Sequence, residues 1–233
     1  MINFIKKILF LTVLVSALLA IAAVYFAMPV TAFWANNFTE YKVDYKESTG
    51  NLIQGLTIKY LKVSHKSIPQ ALTLETLNVR PSWDTILNKQ AVIVNFEGNK
   101  ILFAKPEKLK IVNIPGVFID DTITRHIEGF DVFNFSFEYD KNNSWKIFNI
   151  NGISENFLLN GSVSGDIDDN TIFTDLNLSI SKEYCDKNIG DLEGILLENK
   201  SEKWYGTSIK ISGNYRTKLF SLSTDLVQIK INM

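Results

Sequence analysis

Residues 133–139, with the sequence Phe-Asn-Phe-Ser-Phe-Glu-Tyr, alternate apolar and polar side chains without interruption. Residues 172–180 follow nearly the same pattern, and one side of it carries Ile172, Leu176, Leu178 and Ile180. Alternation with a period of two residues predicts a strand with one face toward an apolar core and the other toward water. Both segments therefore predict an antiparallel sheet.

Shorter strand-like runs fill most of the remaining chain. Turn-forming residues separate them at Gly98-Asn99, at 140–143, at 168–170 and at Gly213-Asn214. Short strands that alternate regularly with turns predict an all-β, mostly antiparallel domain. The further predicted strands are 56–63, 72–79, 91–96, 101–104, 109–114, 145–150, 157–163, 192–197, 207–212 and 219–231.

One short helical segment interrupts the strands near residues 81–88. The proline that opens it ends the preceding strand, because the residue before a proline favours extended geometry, and Ser82 can cap the following turn. Trp83, Ile86 and Leu87 then fall on one side, at the i, i+3 and i+4 spacing. This spacing predicts a plug against the sheet, or an ordinary connection whose tryptophan fills the core. The same three residues are also candidate contacts for a partner.

The amino-terminal residues 8–30 form an uncharged apolar run, and two lysines precede it. A helix needs about 20 apolar residues to cross a bilayer, so the run predicts one membrane anchor that includes Leu14, Leu18 and Ala22. A cleaved signal peptide is the alternative, although its apolar region spans only about 7–15 residues. The lysines predict a cytoplasmic amino terminus. The predicted organisation is a tail of 1–7, the membrane helix 8–30, a linker with the approach to the first strand over 31–47, and an extracytoplasmic β domain over 48–233.

The composition excludes several classes of function. The 233 residues carry 24 basic and 25 acidic side chains, so no excess positive charge is present to neutralise a nucleic-acid backbone. The single cysteine, Cys185, excludes an intrachain disulfide, and His65 and His126 lack neighbours at the spacing that zinc requires. No phosphate-binding loop, nucleophile elbow or metalloprotease motif is present. We therefore expect no cofactor, no metal and no enzymatic activity.

The densest acidic stretch runs from Asp166 to Asp169. It resembles the opening of a calcium-binding loop, but Thr171 and Asn177 occupy the positions where such a loop needs glycine and glutamate. The stretch is therefore predicted to be a solvated hairpin tip.

A sheet with one apolar face must cover that face with another apolar surface. A second sheet covers it in a sandwich, and a filled barrel core is a related solution. A lipid acyl chain covers it if the sheet curls into an open groove. The 16 phenylalanines suit each arrangement, so the patterning leaves these alternatives open.

The order of these features resembles the AsmA-like proteins of Gram-negative envelopes, and among them the type II secretion system protein N. The resemblance rests on the single membrane helix, on the glycine-bearing strand of residues 48–56, and on the passage Val-Arg-Pro-Ser-Trp-Asp-Thr-Ile-Leu at 79–87. It covers about residues 1–105, and the carboxyl-terminal part is similar only in its alternating, glycine-punctuated strands. It implies an inner-membrane protein whose periplasmic domain is a curved antiparallel sheet, shaped as a taco-like groove or an open barrel.

The same resemblance implies a role in envelope biogenesis. The implied role is the handling of lipid between membranes, with membrane lipid as the ligand. The alternative is an accessory component of a type II secretion system that contacts other envelope or secretion-machinery proteins. Neither role implies catalytic residues or a nucleic-acid partner.

Overall fold

The computed structural model describes residues 27–65, 68–83, 91–103, 127–188, 197–225 and 228–232. Two helices and thirteen strands occupy these ranges. The helices are α1 (Ala27–Phe38) and α2 (Lys182–Asn188). The strands are β1 (Tyr41–Asp44), β2 (Glu47–Asn51), β3 (Gly55–His65), β4 (Ile68–Pro81), β5 (Ala91–Phe103), β6 (Gly129–Asp140), β7 (Ser144–Ile153), β8 (Phe157–Asp166), β9 (Thr171–Ser181), β10 (Glu198–Asn199), β11 (Trp204–Asn214), β12 (Leu219–Thr224) and β13 (Gln228–Asn232).

The strands of the described ranges form one open antiparallel sheet. Its main path runs β1-β3-β4-β5-β6-β7-β8-β9-β11-β12-β13, so most strands pair with their neighbours along the chain. At one edge β1 and β2 pair with the two halves of β3, and near the other edge β10 pairs with the beginning of β11. The expectation of an all-β, antiparallel fold is confirmed.

Strand pairing determines which residues share a face of the sheet, because directly opposed residues on neighbouring strands point the same way. Ile180 on β9 lies opposite Phe157 on β8 and Tyr205 on β11. Leu178 and Ile180 are 4% and 0% exposed, whereas the intervening strand positions are more accessible. The alternation predicted for residues 172–180 is therefore present in β9.

The face that carries Ile180 is called the apolar face. It holds two clusters of buried side chains, one on β6–β11 with Cys185 of α2, the other on β3–β5 with Met28 of α1. Phe103 and Phe133 pack against both clusters and join them. The core of the described chain is thus one continuous layer on a single side of the sheet.

Three non-glycine residues within strands have left-handed backbones: Tyr60 on β3 with φ 54°, Lys100 on β5 with φ 50° and Asn149 on β7 with φ 53°. Such a residue shifts the alternation of side chains along its strand by one position. For this reason Ile58 and Leu61 are both buried in the same cluster although they are three residues apart. A Cβ added at Gly98 would likewise meet the side chain of Ile101, which lies on the same face three residues later.

The turn predicted at Gly98-Asn99 is therefore wrong. Residues 91–96 and 101–104 were predicted as separate strands because the turn-forming pair Gly98-Asn99 lies between them. In the structure β5 continues through this point, and the left-handed backbone of Lys100 shifts the alternation of its side chains by one position. The turns predicted at 140–143 and 168–170 do connect β6 with β7 and β8 with β9.

Both helices differ from the sequence expectation. Residues 31–38 were predicted as part of a linker, but they belong to α1. No helix was predicted for residues 182–188, but α2 forms there and packs its Cys185, 1% exposed, into the core.

Among the described residues, which begin at Ala27, no helix is long and apolar enough to span a membrane. The predicted anchor residues Leu14, Leu18 and Ala22 lie outside the described ranges. Residues 219–231, predicted as one strand, form β12 and β13 with Asp225 after the first. The strand predicted at 109–114 lies outside the described ranges, as does 192–196 of the run 192–197.

Candidate functional site

The apolar face carries a line of five phenylalanine rings that crosses β5 and β6. Ring centroids are 6.2 Å apart from Phe103 to Phe130, 5.5 Å from Phe130 to Phe133, and 5.9 Å from Phe133 to Phe135. Phe135 then stacks on Phe96 at 4.6 Å with the two planes 10° apart. These distances are typical of favourable aromatic pairs. We call this line the aromatic run.

Glycines on the neighbouring strands leave room for the rings to lie close to the sheet. A Cβ added at Gly152 on β7 would approach the rings of Phe130 and Phe133 to about 3.0 Å. A Cβ at Gly165 would approach the Trp145 indole to 2.6 Å. Aromatic side chains that cover strand glycines in this way are a recognised feature of bent sheets. The rings therefore cover backbone as well as other side chains.

Burial falls along the apolar face from one end of the strands to the other. On β9, Ile180 is fully buried, whereas Ile172 at the opposite end of the strand is only half-buried. On β5, Ile101 is 5% exposed, Phe96 is half-buried and Val92 is 44% exposed. The face is therefore closed at the end that holds Ile101 and Ile180, and more open at the end that holds Val92 and Ile172.

The apolar face of β5–β9 carries no charged side chain in the described residues. The pairing registers assign to it apolar residues, glycines, Thr174 and Tyr139, whose hydroxyl donates to Oδ1 of Asn143. Charged side chains such as Glu97 and Glu138 fall on the opposite face, since each lies one position away from an inward-facing phenylalanine. Such a surface can bind apolar groups.

Helix α1 reaches the closed end of this face. Met28, at its beginning, is buried among the β3–β5 cluster. The other side of α1 exposes large apolar side chains, with Phe33 64%, Trp34 58% and Phe38 68% accessible. Exposed aromatic residues concentrated on one short helix are unusual on a purely water-facing surface.

Trp83, which the sequence analysis named as a plug or a contact, lies at the surface. It is 42% exposed, and its indole N–H donates a hydrogen bond of 2.6 Å to the carbonyl of Ile53, in the turn between β2 and β3. Trp83 therefore ties a turn to the sheet and does not fill the core. Its predicted partners Ile86 and Leu87 lie outside the described ranges.

Titratable groups in the described ranges form no reactive cluster. No group of three or more histidine, cysteine or acidic side chains in these ranges could hold a metal ion. His65 contacts Glu40 at 3.3 Å, and His126 lies outside the described ranges. At the hairpin tip, hydrogen bonds from the Asp169 backbone and the Ser144 hydroxyl lower the pKa of Asp166. The tip is solvated, as predicted from its sequence.

The aromatic run was only partly foreseeable. The alternating Phe133 and Phe135 were recognised as one face of a strand, but Phe96, Phe103 and Phe130 come from segments whose register the sequence does not reveal. Abundant phenylalanine was the one signal that pointed to them.

Comparison with known proteins returned no match to a family model, to a curated protein or to a solved structure. The resemblance to the AsmA-like proteins therefore stays a hypothesis drawn from the sequence. Function has to be inferred from the sheet and its two faces.

Proposed function

We propose that this protein is an inner-membrane-anchored, extracytoplasmic protein of envelope biogenesis whose curved sheet binds lipid acyl chains. The observation that carries the proposal is the uncharged apolar face, which runs from Met28 of α1 to the half-buried Phe96 and Phe135. Binding rather than catalysis is the activity that such a surface supports.

An acyl chain is the occupant that suits this face best. Each methylene group that leaves water for an apolar surface contributes about 0.8 kcal/mol, so a chain along the aromatic run gains affinity without any polar contact. The strand glycines under the rings support a bent sheet, because glycine permits local bending. The bend would form the groove that the resemblance implies.

The position of α1 supports delivery from a membrane. The predicted anchor of residues 8–30 overlaps the beginning of α1, and Phe33 and Trp34 follow it directly. Aromatic side chains concentrate at the boundary between hydrocarbon and water. In this arrangement the closed end of the apolar face lies nearest the bilayer, and an acyl chain is bound at the more open end, where Phe96 and Phe135 are half-buried.

Site-specific photocrosslinking in cells tests the proposal. Full-length protein with a benzophenone amino acid at Phe135 is expressed, irradiated and purified, and adducts are identified by mass spectrometry. The matched control replaces Phe173, which is 53% exposed on the opposite face of β9. We expect a phospholipid or lipopolysaccharide adduct at position 135 and none at position 173.

Three outcomes are distinguishable. Lipid adducts confined to position 135 support the proposal. Equal lipid labelling at both positions, or no adduct at position 135, contradicts it. A protein adduct at position 135 in place of lipid also contradicts it, and favours the alternative role as an accessory component of a secretion machine.

A further inference from the structure

The face opposite the aromatic run carries a row of amide side chains. Asn78 on β4 lies opposite Glu97 on β5, and Glu97 lies opposite Asn134 on β6. The row continues across β7, β8 and β9 with Asn151, Asn160 and Asn177. Neighbouring strands are about 4.8 Å apart, so the five steps from β4 to β9 span roughly 24 Å. We call this line the asparagine row.

A cavity of about 290 Å³ opens over the β4–β7 part of this row. Its polar lining includes Asn78, Arg80, Asn95, Glu97, Asn134 and Ser136. We call it the polar pocket. Its size is close to the lower end of small-molecule sites, which occupy about 300–1,000 Å³.

Hydrogen bonds hold two amide side chains of the polar pocket in place and leave some of their polar groups without a partner among the described residues. The Thr57 hydroxyl donates to Oδ1 of Asn78 at 2.8 Å, and the buried Ser136 hydroxyl donates to Oδ1 of Asn95 at 2.7 Å. These bonds hold both amides, while their Nδ2 groups donate to no described residue. Oδ1 of Asn134 is buried and has no partner among the described residues.

The polar pocket offers the Nδ2 donors of Asn78 and Asn95 beside the acceptor oxygens of the Glu97 carboxylate. Hydroxyl groups complement such a set, because each hydroxyl both donates and accepts.

The charges of the polar pocket select against an ionic ligand. Arg80 and Glu97 contribute one charge of each sign, and neither forms an ion pair with a described residue. A phosphate or another multiply charged anion would meet the Glu97 carboxylate as well as the Arg80 guanidinium. We propose that the polar pocket binds a neutral carbohydrate, with further sugar units along the asparagine row.

Calorimetric titration of the detergent-solubilised full-length chain tests this site. The probes are maltotetraose and chitotetraose, each titrated to about 10 mM, since a dissociation constant near 1 mM corresponds to only about 4.1 kcal/mol. We expect saturable binding of at least one probe. Asn134→Ala removes an amide side chain that lines the pocket and should weaken that binding about tenfold, which corresponds to roughly 1.4 kcal/mol.

Two further variants make the outcome interpretable. Arg80→Gln changes an exposed side chain at the rim of the pocket, so it keeps the fold even if Asn134→Ala does not, and it should also weaken binding. Asn199→Ala, on the remote and exposed β10, is the matched control and should bind as the wild type does. Loss of affinity in both pocket variants but not in the control supports the site. Absence of binding for both probes, or unchanged affinity in the pocket variants, overturns it, whatever photocrosslinking shows for the apolar face.

Discussion

Two identical substitutions on one strand measure how far the apolar face is closed. Ile180 and Ile172 lie on the same face of β9, eight positions apart. Ile180 lies between Phe157 and Tyr205 on the adjoining strands and is 0% exposed. Ile172 is opposite glycines on both neighbouring strands and is only half-buried. Replacement of each by alanine compares the closed end with the open end.

The expected losses of stability follow from burial. Ile180→Ala removes three carbon groups, about 2.4 kcal/mol of transfer free energy, and leaves a cavity between rigid rings that raises the cost to about 4 kcal/mol. Ile172→Ala removes the same groups from a site that water already reaches and leaves no enclosed cavity. We expect its cost to be about 1–1.5 kcal/mol.

Urea unfolding of the full-length chain in one detergent, followed by far-ultraviolet circular dichroism, measures both variants. The comparison holds if the slope of free energy against urea is the same for both proteins, because a changed slope signals a changed unfolded or native state. Equal losses for the two variants would refute the reasoning, since they would mean that both ends of β9 are covered alike. A cost for Ile172→Ala above about 3 kcal/mol would also contradict an open end.

Two further predictions concern single polar contacts. A hydrogen bond from the Ser208 hydroxyl is the main reason that the pKa of Asp225 is lowered to about 2. Asp225→Asn should therefore lower the free energy of unfolding by roughly 0.5–1 kcal/mol at pH 7, a small effect because solvent screens the contact. Denaturation curves measured from pH 7 to pH 2 test this origin. The difference from wild type should stay constant down to about pH 3.8, the ordinary carboxyl pKa, and disappear as the pH falls to about 2. A difference that persisted unchanged at pH 2 would contradict this origin. Trp83→Phe keeps an aromatic ring but loses the bond to the Ile53 carbonyl, and should lower the free energy of unfolding by about 1 kcal/mol. The exposed Trp34→Phe, the matched control, should change it by less than about 0.5 kcal/mol, and equal effects of the two would show that the Trp83 bond contributes nothing.

Some parts of the candidate site could be predicted from the sequence, and others could not. The apolar face could be foreseen, because Phe133 and Phe135 alternate with polar residues in one uninterrupted segment. The polar pocket could not, since Asn78, Asn95 and Asn134 lie on three strands and meet only through their register. Trp83 could not be judged either, because its exposure depends on the turn at Ile53, thirty residues earlier in the chain.

The sequence by itself determined the class of fold and the sidedness of the strands. Side-chain alternation is a local property, so residues 172–180 reveal which positions share a face without reference to any other strand. The tertiary structure alone decided where that alternation changes phase. Lys100 is not a glycine, and nothing local requires its left-handed backbone, which costs free energy that only the pairing of β5 with β4 and β6 can offset. For the same reason the order of the strands, the closed end at Ile180 and the aromatic run emerge only when distant segments pair.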